Sequence, residues 1–79
     1  MEMTLYQLDG CPWCIKVADR MDELDLAYDT VWVEPLHSAR DEVRRVSGQR
    51  QVPVLVDEQF GVTMAESDNI LTYLENNYA

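Results

Sequence analysis

Cys11-Pro12-Trp13-Cys14 lies between an apolar, strand-like run from Met3 to Leu8 and a helix-like run that begins at Ile15. No other feature constrains the fold as strongly, because a C-x-x-C pair at a strand-to-helix junction carries a sulfur to the first turn of a helix. Unsatisfied backbone amides and aligned peptide dipoles at that point stabilise a thiolate. The chain has no other cysteines. A bond between these two closes too short a loop to staple a secreted fold, since the entropic effect of a disulfide grows with the length it encloses. The pair therefore reads as redox chemistry at a helix N-terminus.

The rest of the chain supplies elements around that junction. Thr4 to Leu8 alternates and is rich in strand formers, and Asp9-Gly10 supplies a turn. Pro12, whose fixed φ suits a first helical turn, opens a helix in which Ile15, Val17, Ala18, Met21 and Leu24 recur at mostly helical spacing. Asp19, Arg20, Asp22 and Glu23 mark its solvated face. Ala27 to Val33 is β-branched and aromatic, which predicts a second strand stopped by Glu34-Pro35. Ser38 and Asp41 have the spacing of a capping box for a helix anchored by Val43 and Val46 and ended by Gly48. Val52 to Val56 predicts a third strand, Asp57-Glu58-Gln59 a turn, and Phe60 to Met64 a short return strand. Ser67 is placed to cap a last helix that carries Ile70, Leu71, Tyr73 and Leu74.

The resulting order is βαβαββα. A β-α-β start favours a parallel pair joined by a right-handed crossover, and the short connection near residue 58 favours an antiparallel hairpin. The expected fold is α/β, a four-stranded mixed sheet with helices on both faces, and residues 1–79 fit one domain without repeat, low-complexity segment or linker.

Charge narrows the partners. Fifteen acidic residues against six basic ones give a formal charge of −9, and Lys16 is the only lysine. Such a surface repels nucleic-acid phosphates and anionic membranes, so neither is an expected partner. No apolar run is long enough to span a bilayer, and Met1-Glu2-Met3-Thr4 carries no basic leader, so a cytoplasmic protein is expected. A monomer is expected as well. The acids are dispersed along the chain, a pattern of solvation. At about 1 M salt the Debye length falls to ~3 Å and self-repulsion is screened. A salt-rich cytosol is therefore the expected setting, against the alternative of an ordinary acidic mesophilic protein.

Gly10-Cys11-Pro12-Trp13-Cys14, the Val52-Pro53 pair and Glu66-Ser67-Asp68-Asn69-Ile70 together resemble a glutaredoxin, or the similar N-terminal domain of glutathione transferases. The resemblance covers essentially the whole chain and implies a thioredoxin-like fold. It implies a cis bond before Pro53, with the preceding backbone turned outward to pair with an extended substrate. It also implies docking of a γ-glutamyl carboxylate at the start of the last helix, where Ser67 and Asp68 match the carboxylate and ammonium roles and Glu66 is a second acidic candidate. Glutaredoxins often have tyrosine where Trp13 stands, so Trp13 keeps a flat apolar wall and loses a hydroxyl. The family's lysine near the end of strand one, which helps bind the glycine carboxylate of glutathione, is replaced by Leu8-Asp9-Gly10. Arg50 or Gln51 is placed to substitute for it, or the preferred thiol is γ-glutamylcysteine, which lacks that carboxylate.

Cys11, before the first full helical turn, is the expected nucleophile, and Cys14, one turn in, the resolving thiol. Two cysteines and His37 are too few for a structural zinc site, which takes four ligands, and no resident metal or tightly bound cofactor is expected. His37 reads as a solvent-facing loop residue. The expected function is a thiol–disulfide oxidoreductase of glutaredoxin type. It would act on disulfide-containing proteins and on mixed disulfides of glutathione or γ-glutamylcysteine. The alternatives are a transferase-like module that binds a thiol without turnover, and a carrier of an iron–sulfur cluster shared by two chains.

Overall fold

A computed structural model describes residues 3–33 and 52–79. The elements are β1 (Met3–Gln7), α1 (Pro12–Glu23), β2 (Asp29–Trp32), β3 (Val54–Asp57), β4 (Val62–Ala65) and α2 (Ser67–Tyr78). The strands form one mixed sheet in the order β2-β1-β3-β4. β1 runs parallel to β2 and antiparallel to β3, and β3 and β4 form the antiparallel hairpin. This is the four-stranded, thioredoxin-like arrangement that the order of sequence motifs implies. The helix expected between Ser38 and Gly48 lies outside the described residues.

Alternation along β1 decides which face each helix covers. Met3 and Leu5 are fully buried and pack with Leu55 of β3, Val17 and Met21 of α1, and Ile70 and Leu74 of α2. Both described helices therefore sit on one face of the sheet. On the other face Tyr6 and Val54 are buried, with Val31, Val52, Val56 and Ala65 packed against them. Within α1 the buried positions are Cys14, Val17 and Met21, a stripe spaced to face one direction. Ile15 stands off that stripe and is half exposed, contrary to its expected place in the apolar set.

Several boundaries shift from expectation. β2 begins at Asp29 and not Ala27, because the chain first turns through Asp25, whose φ is 57°. β3 runs one residue further than expected and takes in Asp57, and β4 is correspondingly Val62–Ala65.

Asp57 is the larger correction. It was grouped with the solvated acids and a turn, yet it is fully buried on the helix-covered face. Its Oδ2 accepts hydrogen bonds from the hydroxyls of Tyr73 at 2.6 Å and Tyr78 at 2.5 Å, and its Oδ1 accepts the Gln59 N–H at 3.1 Å. A buried charge is tolerated only with such donors, and charge-assisted bonds of this length are the strong ones. Tyr78 also stacks edge-on against Phe60 and Tyr73. The cluster fastens the C-terminal end of α2 to the β3–β4 hairpin. Burial, followed by the hydrogen bond and charge of Asp57, pushes the Tyr78 hydroxyl up to about 12 and Tyr73 further above the ordinary tyrosine value.

α1 and α2 are tied directly as well. The Arg20 guanidinium meets Glu75 of α2 at 2.7 Å and Glu23 of its own helix at 3.2 Å. Both contacts are solvent-exposed and fix helix orientation more than they stabilise. Among the described residues no helix is long and apolar enough to cross a membrane.

Candidate functional site

The sheet register gathers motifs that are far apart in sequence. Tyr6 pairs with Val54, and Val54 with Ala65, so the end of β1, the start of β3 and the end of β4 form one row. Out of that row run Cys11 towards α1, Val52 and Pro53 into β3, and Glu66 into α2. Both described helices start here, so the free amides of two helix N-termini meet at one end of the molecule.

Cys11 occupies the N-cap of α1 with φ −77° and ψ 118°. Its Sγ accepts the N–H of Cys14 at 3.4 Å, the bond that an oxygen side chain makes in an ordinary N-cap. Pro12 suits the first helical position, where an N–H would have no partner within the helix. The Cys11 amide donates to the Leu8 carbonyl at 3.2 Å, and its own carbonyl accepts from Ile15 at 2.9 Å, so the residue is held on both sides. Gly10, at φ 80°, makes the turn from β1 into this cap. Cys11 is half-buried and Cys14 is fully buried. The two sulfurs are thus set one helical turn apart, the outer residue partly exposed.

The remaining candidates fall around this cap. Trp13 is 62% exposed in the first turn of α1. The Val52–Pro53 bond is cis, as the resemblance implies, with Val52 half-buried and Pro53 buried. Gln51 lies outside the described residues. Asp68 is exposed and is the one acidic side chain in the first turn of α2.

Ser67 departs from expectation. It is buried as the first residue inside α2, and the N-cap is Glu66, which makes no side-chain capping bond. The cause is backbone geometry: Glu66 has φ 72° and ψ 130°, a conformation that residues with a side chain rarely adopt, and this turns the chain one residue early. Strained residues of this kind cluster where ligands are held. Glu66 is exposed, and its carbonyl accepts the Ile70 amide at 3.0 Å. An open groove of about 520 Å³ runs from Glu66 along α2 past Asn69 and Asn76 and includes no other candidate residue.

Trp32 is a residue that reading the sequence treated only as a strand former. Parallel pairing sets it opposite Gln7 at the site end of β2, and it is 62% exposed. The β-α-β pairing expected from sequence, continued to its last pair, carries the signal that would have placed it there.

Residues 5–79 match the family described as glutathione S-transferase, N-terminal domain. Mouse prostaglandin E synthase 2 is 39% identical over 59 residues, which are 75% of this chain and 15% of that protein. Ure2p solved in complex with glutathione has a TM-score of 0.81 at 31% identity, covering 96% of this chain and 33% of its own. Glutaredoxin 2 of Salmonella typhimurium, also solved with glutathione, has a TM-score of 0.78 at 27% identity, over 94% of this chain and 33% of its own. The chain thus spans a third or less of the length of these relatives. With the match running from within β1 through the last residue of the chain, this protein belongs to the glutathione S-transferase N-terminal domain family.

Proposed function

We propose that the domain binds a γ-glutamyl thiol and catalyses thiol–disulfide exchange of glutaredoxin type, in the cytoplasm, through Cys11 and Cys14. The observation that carries this reading is the N-cap geometry of Cys11: a half-buried residue whose sulfur accepts the amide of Cys14, with a second, buried thiol in the same turn.

The chemistry is two successive exchanges. The Cys11 thiolate attacks the glutathione sulfur of a mixed disulfide, forms a Cys11–glutathione disulfide, and expels the substrate sulfur as a thiolate that takes up a proton. A second glutathione thiolate then attacks the glutathione sulfur, releasing glutathione disulfide and restoring Cys11. In the dithiol route Cys14 loses its proton and attacks Cys11. The bound thiol leaves, and a Cys11–Cys14 disulfide forms that two further thiols reduce.

Glutathione bound in the solved structures of Ure2p and of glutaredoxin 2 supports a γ-glutamyl ligand here. The carboxylate of its γ-glutamyl group suits the amides at the start of α2 beside Ser67, and Asp68 and Glu66 suit its ammonium. Trp13 offers a flat wall in the turn that carries the sulfur, and Val52 and Pro53, with Gln51 before them in sequence, are proposed to pair with the backbone of the thiol. With Leu8-Asp9-Gly10 in place of a lysine, γ-glutamylcysteine is proposed as the preferred thiol over glutathione. Equal reduction rates for the mixed disulfides of the two thiols would remove that part of the proposal.

The family match favours one second reading, a module that binds the thiol without turnover. Cys11→Ser separates the two. The exchange reading expects turnover of a small glutathione mixed disulfide to vanish while calorimetric binding of glutathione persists. Binding by the unaltered protein with no turnover to lose would establish the second.

A further inference from the structure

Two features of the site end reach beyond what the exchange of small thiols needs. One is its aromatic exposure. Trp13 and Trp32 are the only tryptophans of the chain, and each is 62% exposed, although tryptophan is highly buried on average. Trp13 stands in the turn that carries Cys11, and Trp32 ends the strand on the β2 side of it. The other is charge: fifteen acidic residues against six basic ones give the chain a formal charge of −9. At the site end, exposed Asp9 lies in the turn before Cys11, apart from the Glu66 and Asp68 that suit the γ-glutamyl ammonium.

Resting on the exchange reading, we infer that the disulfides preferred by this protein are those of cysteines set in basic polypeptide segments. The segment lies over Cys11 and meets the groups beside it, Trp32 at the end of β2 and Asp9 in the turn before Cys11. Arginine and lysine are the side chains that gain from both features, since their cations stack on tryptophan faces and pair with carboxylates. A segment rich in acids meets the same surface with repulsion, and an uncharged small mixed disulfide brings no flanking cation to it. The field of the whole molecule adds attraction during encounter at low salt. At about 1 M salt that reach shrinks to ~3 Å, and only contacts at the two tryptophans and the carboxylates remain.

The test uses three mixed disulfides with glutathione: those of a single-cysteine peptide with arginine and lysine flanks, of a peptide of equal length with glutamate flanks, and of uncharged 2-mercaptoethanol. The inference expects kcat/KM for the basic peptide to exceed the acidic one by about tenfold or more at low salt. It expects a smaller preference, about threefold, to persist at 1 M salt. Trp32→Ala and Asp9→Asn should each lower kcat/KM for the basic peptide by about threefold and leave the 2-mercaptoethanol substrate unchanged. Equal kcat/KM for the two peptides overturns the inference and leaves the exchange reading standing. Loss of rate on all three substrates in Trp32→Ala overturns the role of that tryptophan as a contact. Turnover of none of the three by the unaltered protein overturns the exchange reading and the inference with it.

Discussion

Cys11 and Asp57 show how differently two polar side chains are written into a chain. The position of Cys11 is legible because every local cue agrees: an apolar run before it, a glycine that supplies positive φ, and a proline that suits the first helical turn. Asp57 is not legible, since its meaning depends on Tyr73 and Tyr78, which reach it only after α2 folds back along the sheet. A carboxylate beside Glu58 and Gln59 carries the local signature of a turn. Replacing it by alanine leaves two hydroxyls without their acceptor, and Asp57→Ala is expected to lower stability by about 3 kcal/mol in urea unfolding. The same cluster sets an alkaline limit. The tyrosines hold their protons more tightly folded than unfolded, so the folded state binds more protons above the ordinary tyrosine pKa of 10.0. Their contribution is fully present below about pH 10 and falls as pH rises through about 12. Stability measured across that range should drop, and Tyr78→Phe should flatten the drop.

Elements were recognised more securely than their edges or their inward faces. Each described strand and helix was expected, with its type, because period-two and helical spacing survive the change from line to fold. Strand ends moved by one to a few residues because the turns at Asp25 and Gly61 take positive φ, which no apolar pattern records. In α1, spacing alone admitted both Ile15 and Val17, and the packing of Met3, Leu5 and Leu55 selected Val17 with Met21. Met21→Ala is accordingly expected to cost about 3 kcal/mol and Ile15→Ala less than about 1 kcal/mol, compared by urea unfolding. Equal costs would mean that α1 is rotated about its axis relative to this packing. At α2, the start of the helix was expected within a residue, but the reversed backbone at Glu66 moved Ser67 from cap to interior.

For the molecule as a whole, the sheet order does what no single motif can. It lines up the ends of β1 and β4 with the start of β3, and so brings the thiol pair, the proline and the acidic helix start to one end. That convergence follows from a family fold and was legible only through it. The charge was legible from composition alone. Because like charges crowd the folded surface, its thermal midpoint is expected to rise as salt goes from about 0.1 M to about 1 M, where screening shortens to ~3 Å. A midpoint independent of salt would place the protein among ordinary acidic proteins.

Mass spectrometry of the Cys14→Ser variant after exposure to glutathione disulfide tests the central claim most directly. The account predicts one glutathione added at Cys11, removed again by dithiothreitol, and formed at least about tenfold faster in the folded protein than in the urea-unfolded chain, because only folding brings helix amides to the sulfur. No adduct at Cys11, or an adduct formed no faster when folded, would contradict it.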